Sequence, residues 1–455
     1  MRAMVPSAES HETGTAPRPR GFEVTNRLVL SIAVPMTFAY LTTPLIGISG
    51  TAVVGQFGDA ALLGGLAVGA LAFDIVFATF NFLRSGTTGL VAQALGSGDA
   101  GEEQAVFWRA FAIAVAVGLV LAVAAPLVVA AIGWFVGPEP QVAAAMAAYI
   151  GIRIVSAPLA LSNYAVLGYV LGRGEGTTGL VVQAVLNGVN IGASVLLGLV
   201  LGWGIAGVAW GAVIGELAGF IAGMAVLLPR FRRAGSVSLA RLRDSAAFTA
   251  MLGMNRDIMI RSFVLIGSFA LLTRQGAHFG TVTLAANAVL MNIFLFCGYF
   301  LDGFATAAEQ LAGRAIGARH APAFYRTVRL TARWGFGLAI VLSALFLAFG
   351  GQFVALVTTA QDVRAVAVEY LPWAALTAVS GVLAFQMDGV FIGATWSRDM
   401  RNMMLVSFAL YVTALWSLGT SFGNHGIWAA LHVFLLARGL SLLAIMRVRA
   451  RAAFA

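Results

Sequence analysis

The 455-residue chain has no lysine, one cysteine and only 10% charged residues. Without lysine there is no GxxxxGK[ST] string, which excludes a P-loop ATPase. One cysteine, Cys297 in an apolar run, allows neither a disulfide framework nor a thiolate metal site. The five histidines, His11, His278, His320, His425 and His432, lack HExxH-type spacing, and no His/Asp/Glu constellation gathers near one interface. A zinc hydrolase and a membrane-embedded transferase are therefore disfavoured, and no enzyme activity, metal or cofactor is expected. Ordinary soluble domains carry about a quarter charged residues, so this chain is not one of them.

What is abundant is apolar surface: 60% of residues are hydrophobic and the mean hydropathy is +0.90. A helix needs about 20 mostly apolar residues to cross a hydrocarbon core of roughly 30 Å, and only helices or closed barrels satisfy their backbone there. The runs are continuous rather than alternating, which predicts an all-α polytopic membrane protein. Twelve helices are expected, at 28–54, 60–83, 107–135, 142–172, 177–201, 204–228, 247–274, 282–307, 325–349, 364–394, 401–421 and 425–446.

The formal charge of +9 comes from arginine alone. The arginines gather between apolar runs, as at Arg230, Arg232, Arg233, Arg241 and Arg243 and again at Arg447, Arg449 and Arg451, while the opposite loops hold little beyond Arg274 and Arg364. This is the positive-inside pattern and not a nucleic-acid face; it places both termini in the cytoplasm and requires an even number of crossings. Residues 1–26 are polar, lack the apolar core and cleavage site of a signal peptide, and are expected to form a cytoplasmic tail. The remaining divisions are a first lobe at 27–228, a linker at 229–246, a second lobe at 247–446 and a basic C-terminus at 447–455.

The halves repeat. Gly96 matches Gly317, an offset of 221 residues (317 − 96), and the same offset carries Tyr149 onto Tyr370, Gly168 onto Gly389, Gly172 onto Gly393 and Asn81 onto Asp302. Six spans per half give both halves one orientation, so they form parallel repeats around a central cleft that favours alternating access. No filter-like Gly-Tyr-Gly run suggests a channel.

Several strings carry a family resemblance over nearly the whole chain after the tail. They include PLIGISGTAVVG (44–55), FLRSGTTGLVAQALG (82–96), IRIVSAP (152–158), NRDIMIR (255–261), LDGFA (301–305), DGVFIGAT (388–395) and ARGLSL (437–442). Together they resemble the DinF branch of the MATE multidrug efflux family. The resemblance implies two six-helix lobes in a V, set in the bacterial inner membrane. It also implies export of organic, often cationic, compounds against proton or sodium entry; a monomer in the lipid bilayer is expected. Members of that branch usually have aspartates where this chain has Gly50 and Ser194, so the usual coupling carboxylates of the first lobe are missing.

Intramembrane charges are functional candidates by default. Asp74, flanked by apolar residues, and Asp302 and Asp388 in the second lobe are the candidate coupling carboxylates. Pro35, Gly50, Tyr149, Asn187, Asn190 and Ser194 are the candidate cavity of the first lobe; Asn187, Asn190 and Ser194 share a face, and Pro35 and Pro44 allow a bend in helix 1. Asp257 and Arg261, four apart, are expected to pair on one helix, and Arg84 with Glu309 are candidates for a gate or structural pair. Glu216 and Arg153 are expected to find structural partners inside the lobe. Phe80, Phe82, Phe294, Phe296, Met291 and Met387 offer an adaptable apolar surface. A flippase for a lipid-linked substrate or a weakly coupled carrier of the same superfamily is the alternative; the flippase would need several basic groups for phosphate, and the intramembrane arginines are few.

Overall fold

In a computed structural model, which describes residues 22–455, the chain forms two lobes of long helices. The expected tail falls mostly outside the described residues. Its last part does not behave as a tail: Phe22 lies beneath the Arg314 guanidinium at 4.1 Å, Glu23 pairs with Arg326 at 3.3 Å, and Val24 is fully packed. The polar composition hid two apolar anchors.

The first lobe begins with α1 (Asn26–Gly55), started by Thr25, whose hydroxyl accepts from the Leu28 amide. Helix α1 runs unbroken through Pro35 and Pro44. Asp59 caps α2 (Ala60–Phe80), which breaks at Asn81 and continues as α3 (Phe82–Ser97). Gly98, at φ 76°, takes the left-handed turn into α4 (Ala100–Val123), and α5 (Ala125–Val136) prolongs that pass. The fourth pass is α6 (Pro140–Arg153), a short 3₁₀ turn, and α7 (Ala157–Gly172). Then come α8 (Gly176–Ser194), ending in a π-helical turn, and α9 (Gly204–Ala234). Pro229, expected to open the linker, lies inside α9, so the linker proper is shorter and contains only the one-turn helix α10 (Leu239–Leu242).

The second lobe comprises α11 (Ser245–Ala277), α12 (Thr281–Gly317), α13 (Ala321–Val357), α14 (Gln361–Gly393) and α15 (Ser397–Phe454). At about 1.5 Å per residue the 58 residues of α15 are far too long for one crossing. Gly423, at φ 58° and ψ −135°, folds the helix back on itself, and Arg449 makes two bonds, 2.6 and 2.9 Å, to Asp399 on the outgoing leg. Each lobe therefore has six passes. They extend beyond the expected spans, most of all where α3 carries the second pass on to Ser97, about four turns further, and α13 reaches from 321 to 357.

The repeat is visible in the packing. A side chain at Gly168 would meet the Arg84 carbonyl, and one at Gly172 the Thr88 carbonyl; in the second lobe Gly389 meets Ala305 and Gly393 meets Glu309. The glycine and carbonyl positions are related by the same offset in both lobes. Across the lobes the contacts are reciprocal, with Gly96 on the Arg314 carbonyl and Gly317 on the Gln93 carbonyl. Only glycine lets backbones approach this closely, so the glycines set where the lobes seal.

Candidate functional site

Among the described residues, every hydrogen bond and ion pair between the lobes lies in the half of the molecule that carries the termini. Trp334 donates to Asn26 (3.1 Å), Gln93 to the Gly393 carbonyl (2.9 Å) and Gln310 to the Gly172 carbonyl (3.4 Å). The last of the series, nearest the middle, are Tyr40 with Thr306 at 2.9 Å and Arg84 with Glu309 at 3.7 Å. Beyond that level the buried cores are separate, one within each lobe, so the lobes part and leave a cleft at the end away from the termini.

The floor of this cleft is charged. Glu309 is 3% exposed, and its Oε1 has no hydrogen-bond donor among the described residues. Asp302, about two turns back along α12, has no ion pair among the described residues, yet it lies within electrostatic range of Arg84, Arg261 and Tyr299. Tyr299 also senses Asp74, an exposed residue on α2, so Asp74 faces across the cleft toward the second lobe.

Asp388 is differently placed. Its Oδ2 accepts from Arg438 at 2.6 Å and from Arg261, so one carboxylate ties α11, α14 and the return leg of α15 together. The expected pair of Asp257 with Arg261 does not form. Asp257 accepts instead from Arg401 at 2.6 Å and Ser397 at 3.3 Å of α15 and from the adjacent Arg256 at 3.2 Å, while Arg261 is taken by Asp388 of α14. Arg438 escaped sequence reasoning: it sits in the ARGLSL string, but its partner is on another helix and no local spacing reveals it.

In the first lobe the polar stripe is buried and internally bonded. Asn187 donates to Thr42 of α1 at 2.5 Å, and Ser194 donates to Asn190 at 3.3 Å. A Cβ at Gly50 would stand 3.2 Å from Val208, whose carbonyl faces Ser194, so the two positions lacking aspartate border one closely packed spot. Tyr149 packs on Gly69 and accepts from Arg153 at 2.6 Å, apart from the Asn187 stripe, and Arg153 also covers the Phe73 ring. Glu216 meets Asn163 and makes no ion pair with Arg153. Of the apolar candidates, Met387, Phe294 and Phe82 are core residues, whereas Phe296 is 38% exposed.

Ten helical stretches among the described residues are long and apolar enough to cross a membrane, and two six-pass lobes around a one-sided cleft define a polytopic membrane transport protein. The sequence profile of the MatE family matches it twice, over residues 35–196 and 258–415, one match in each lobe. The chain is 36% identical over 417 residues to DNA damage-inducible protein F of Escherichia coli (strain K12), covering 91% of each. It is 26% identical over 436 residues to Protein DETOXIFICATION 44, chloroplastic, of Arabidopsis thaliana, covering 90% of this chain and 80% of that one. Its fold superposes on a MOP superfamily transporter from Pyrococcus furiosus with a TM-score of 0.86 at 14% identity, covering 94% of this chain and 96% of that one. A multidrug resistance MATE family transporter in an outward-facing conformation gives 0.85 at 14% identity, with the same coverage. The chain belongs to the MATE family of efflux transporters, in its DinF branch.

Proposed function

We propose that this protein is a proton-coupled antiporter of the bacterial inner membrane that exports amphipathic, often cationic organic compounds by alternating access. The supporting observation is the cleft floor, where Arg84 of one lobe meets Glu309 of the other while Asp302 beside them has no ion partner among the described residues. With arginine-rich segments cytoplasmic, the open end faces outward, and this arrangement is the outward-facing state. Protonation of Asp302 and Glu309 from outside removes the charge that retains a cation, and it loosens the Arg84 contact that holds the lobes together. Release of the proton inside restores both. Asp74, on the facing wall, adds a third carboxylate to the path, whereas two arginine bonds suit Asp388 to holding helices together. Lipid-linked phosphate is a poorer cargo, since each buried arginine at this level already has a carboxylate nearby.

The test is transport in proteoliposomes under separately imposed proton and sodium gradients, with tetraphenylphosphonium and ethidium as probes. Probe movement driven by the proton gradient, and lost in Asp302→Asn and Glu309→Gln, is the expected result. Sodium-driven movement, or proton-driven movement that survives both substitutions, overturns the assignment.

A further inference from the structure

We infer that Glu216 is a proton-binding site of the first lobe, with Asn163 as its partner. The inference rests on the proton-coupled reading above and adds to it a site in the lobe that lacks the usual aspartates.

Glu216 lies near the middle of α9, about 18 Å along the helix from its start at Gly204. Trp210, Ile214, Leu217, Ile221 and Leu228 are exposed and form one lipid-facing stripe. At 100° per residue Glu216 falls on the other side of the helix, turned into the lobe. The neighbouring Gly215 packs on Asn190 of α8, whereas Gly223, two turns on from Glu216 and on its side of the helix, packs on Val166 of α7. The carboxylate is partly buried, and no ion pair reaches it among the described residues. Asn163 of α7 donates from Nδ2 to Glu216 Oε2 at 2.7 Å and to the Glu216 carbonyl at 2.9 Å.

The groups that face it are few. Arg153 of α6 is the cation within electrostatic range, and it is already engaged with Tyr149 and Phe73. Tyr164 of α7 is the other titratable neighbour, and among the described residues no further charged group is in range of it. An intramembrane carboxylate held by one neutral amide is compensated poorly as an anion and well as an acid.

A second observation points the same way. Asn163 Oδ1 is buried and has no donor among the described residues. A proton on Glu216 Oε1 would donate to that oxygen while Nδ2 continues to donate to Oε2, closing a cyclic acid–amide pair that satisfies both side chains. Proton uptake thus forms one O–H bond on the carboxylate and fills an empty acceptor; release to water reverses it. No other group has to change charge.

Infrared difference spectra of the purified full-length protein in lipid, acid minus alkaline, test the site directly. We expect a carboxylic-acid C=O band that is lost in Glu216→Gln, displaced but present in Glu216→Asp, and displaced in Asn163→Ala, where the acceptor is gone. A spectrum unchanged by Glu216→Gln overturns the inference, and the Asp and Ala variants decide it if the Gln variant does not fold. Tetraphenylphosphonium transport then separates the two readings. If the native protein shows no proton-driven movement, the coupling proposal fails and the infrared result still decides the site. If it does and Glu216→Gln matches it, Glu216 has no part in coupling; loss of the proton-driven component with probe binding retained is the expected outcome.

Discussion

Arg84 Nη1 stands 3.7 Å from Glu309 Oε2 where the two lobes separate, with the acid side chain 3% exposed and the base 13%. The two partners are not equivalent when one is removed. A buried carboxylate that loses its cation can neutralise by taking a proton, whereas a guanidinium cannot give one up. Glu309→Gln should therefore destabilise more than Arg84→Gln, approaching the roughly 3–5 kcal/mol seen for broken buried pairs. Thermal unfolding in lipid or detergent at neutral pH checks the order; equal losses would mean that Asp302 or water compensates Arg84.

Asp388 presents the sharper form of the same asymmetry, because it holds two arginines, Arg261 and the 4%-exposed Arg438. Asp388→Asn would leave two cations without a counter-charge beside the Asp302 carboxyl. Its cost should exceed that of Arg261→Gln, by about 1 kcal/mol or more, given that charged hydrogen bonds contribute about 1.5–3 kcal/mol each. Paired melting curves of the two variants decide it.

The glycines of the repeat were legible because a backbone-to-backbone contact demands glycine in both copies, and Gly96 and Gly317 face each other's lobes for that reason. Twelve passes were legible from apolar length, including the turn near 423. Ion pairs were not. Asp257 and Arg261 satisfy the helical spacing rule, yet Arg401 and Asp388 on other helices take them, and nothing in a sequence ranks a tertiary partner against a local one. The same blindness hid Arg438 and the cross-lobe bond of Tyr40 to Thr306. Residues 22–24 were misjudged from composition, since two apolar side chains suffice to dock a segment that is polar on average.

Because the Gly317 backbone lies against the Gln93 carbonyl, a methyl there must push the lobes apart in this state. Gly317→Ala should shift the population toward a conformation open at the terminal end, by roughly tenfold if overpacking costs the usual 1–3 kcal/mol here and not in the other state. Spin-label distances between α3 and α12 should show a longer component than in the native protein. Unchanged distances with normal transport would show that the seal tolerates an alanine.

At Gly50 a new Cβ would approach Val208 Cγ1 at 3.2 Å and Leu66 Cδ2 at 3.9 Å. Restoring an aspartate there should thus cost about 1–3 kcal/mol from crowding alone. Trimming the obstacle with Val208→Ala should recover part of the loss, so that the double variant is more stable than the sum of the singles predicts. Strict additivity in a double-mutant cycle would instead assign the cost to the uncompensated charge.

The linker is held by a surface pair whose sign with pH can be worked out. Asp99 Oδ1 accepts from Arg241 at 2.6 Å and also caps α4, and the Arg241 bond holds its carboxyl below the ordinary aspartate range. Stability from a carboxyl depressed in the folded state is fully present above the ordinary aspartate value and is lost as pH falls through the depressed one. Both side chains are more than two-fifths exposed, so the pair contributes little to global stability, and its effect should be local docking of α10. The protection of amides in residues 236–244, corrected for the intrinsic pH dependence of exchange, should fall on acidification below the carboxylate range. Asp99→Asn should bring the same change to neutral pH, with faster tryptic cleavage after Arg241 and Arg243. Exchange in that segment that is indifferent to both would mean that the bond from Arg109 to the Arg241 carbonyl, 3.0 Å, holds the linker by itself.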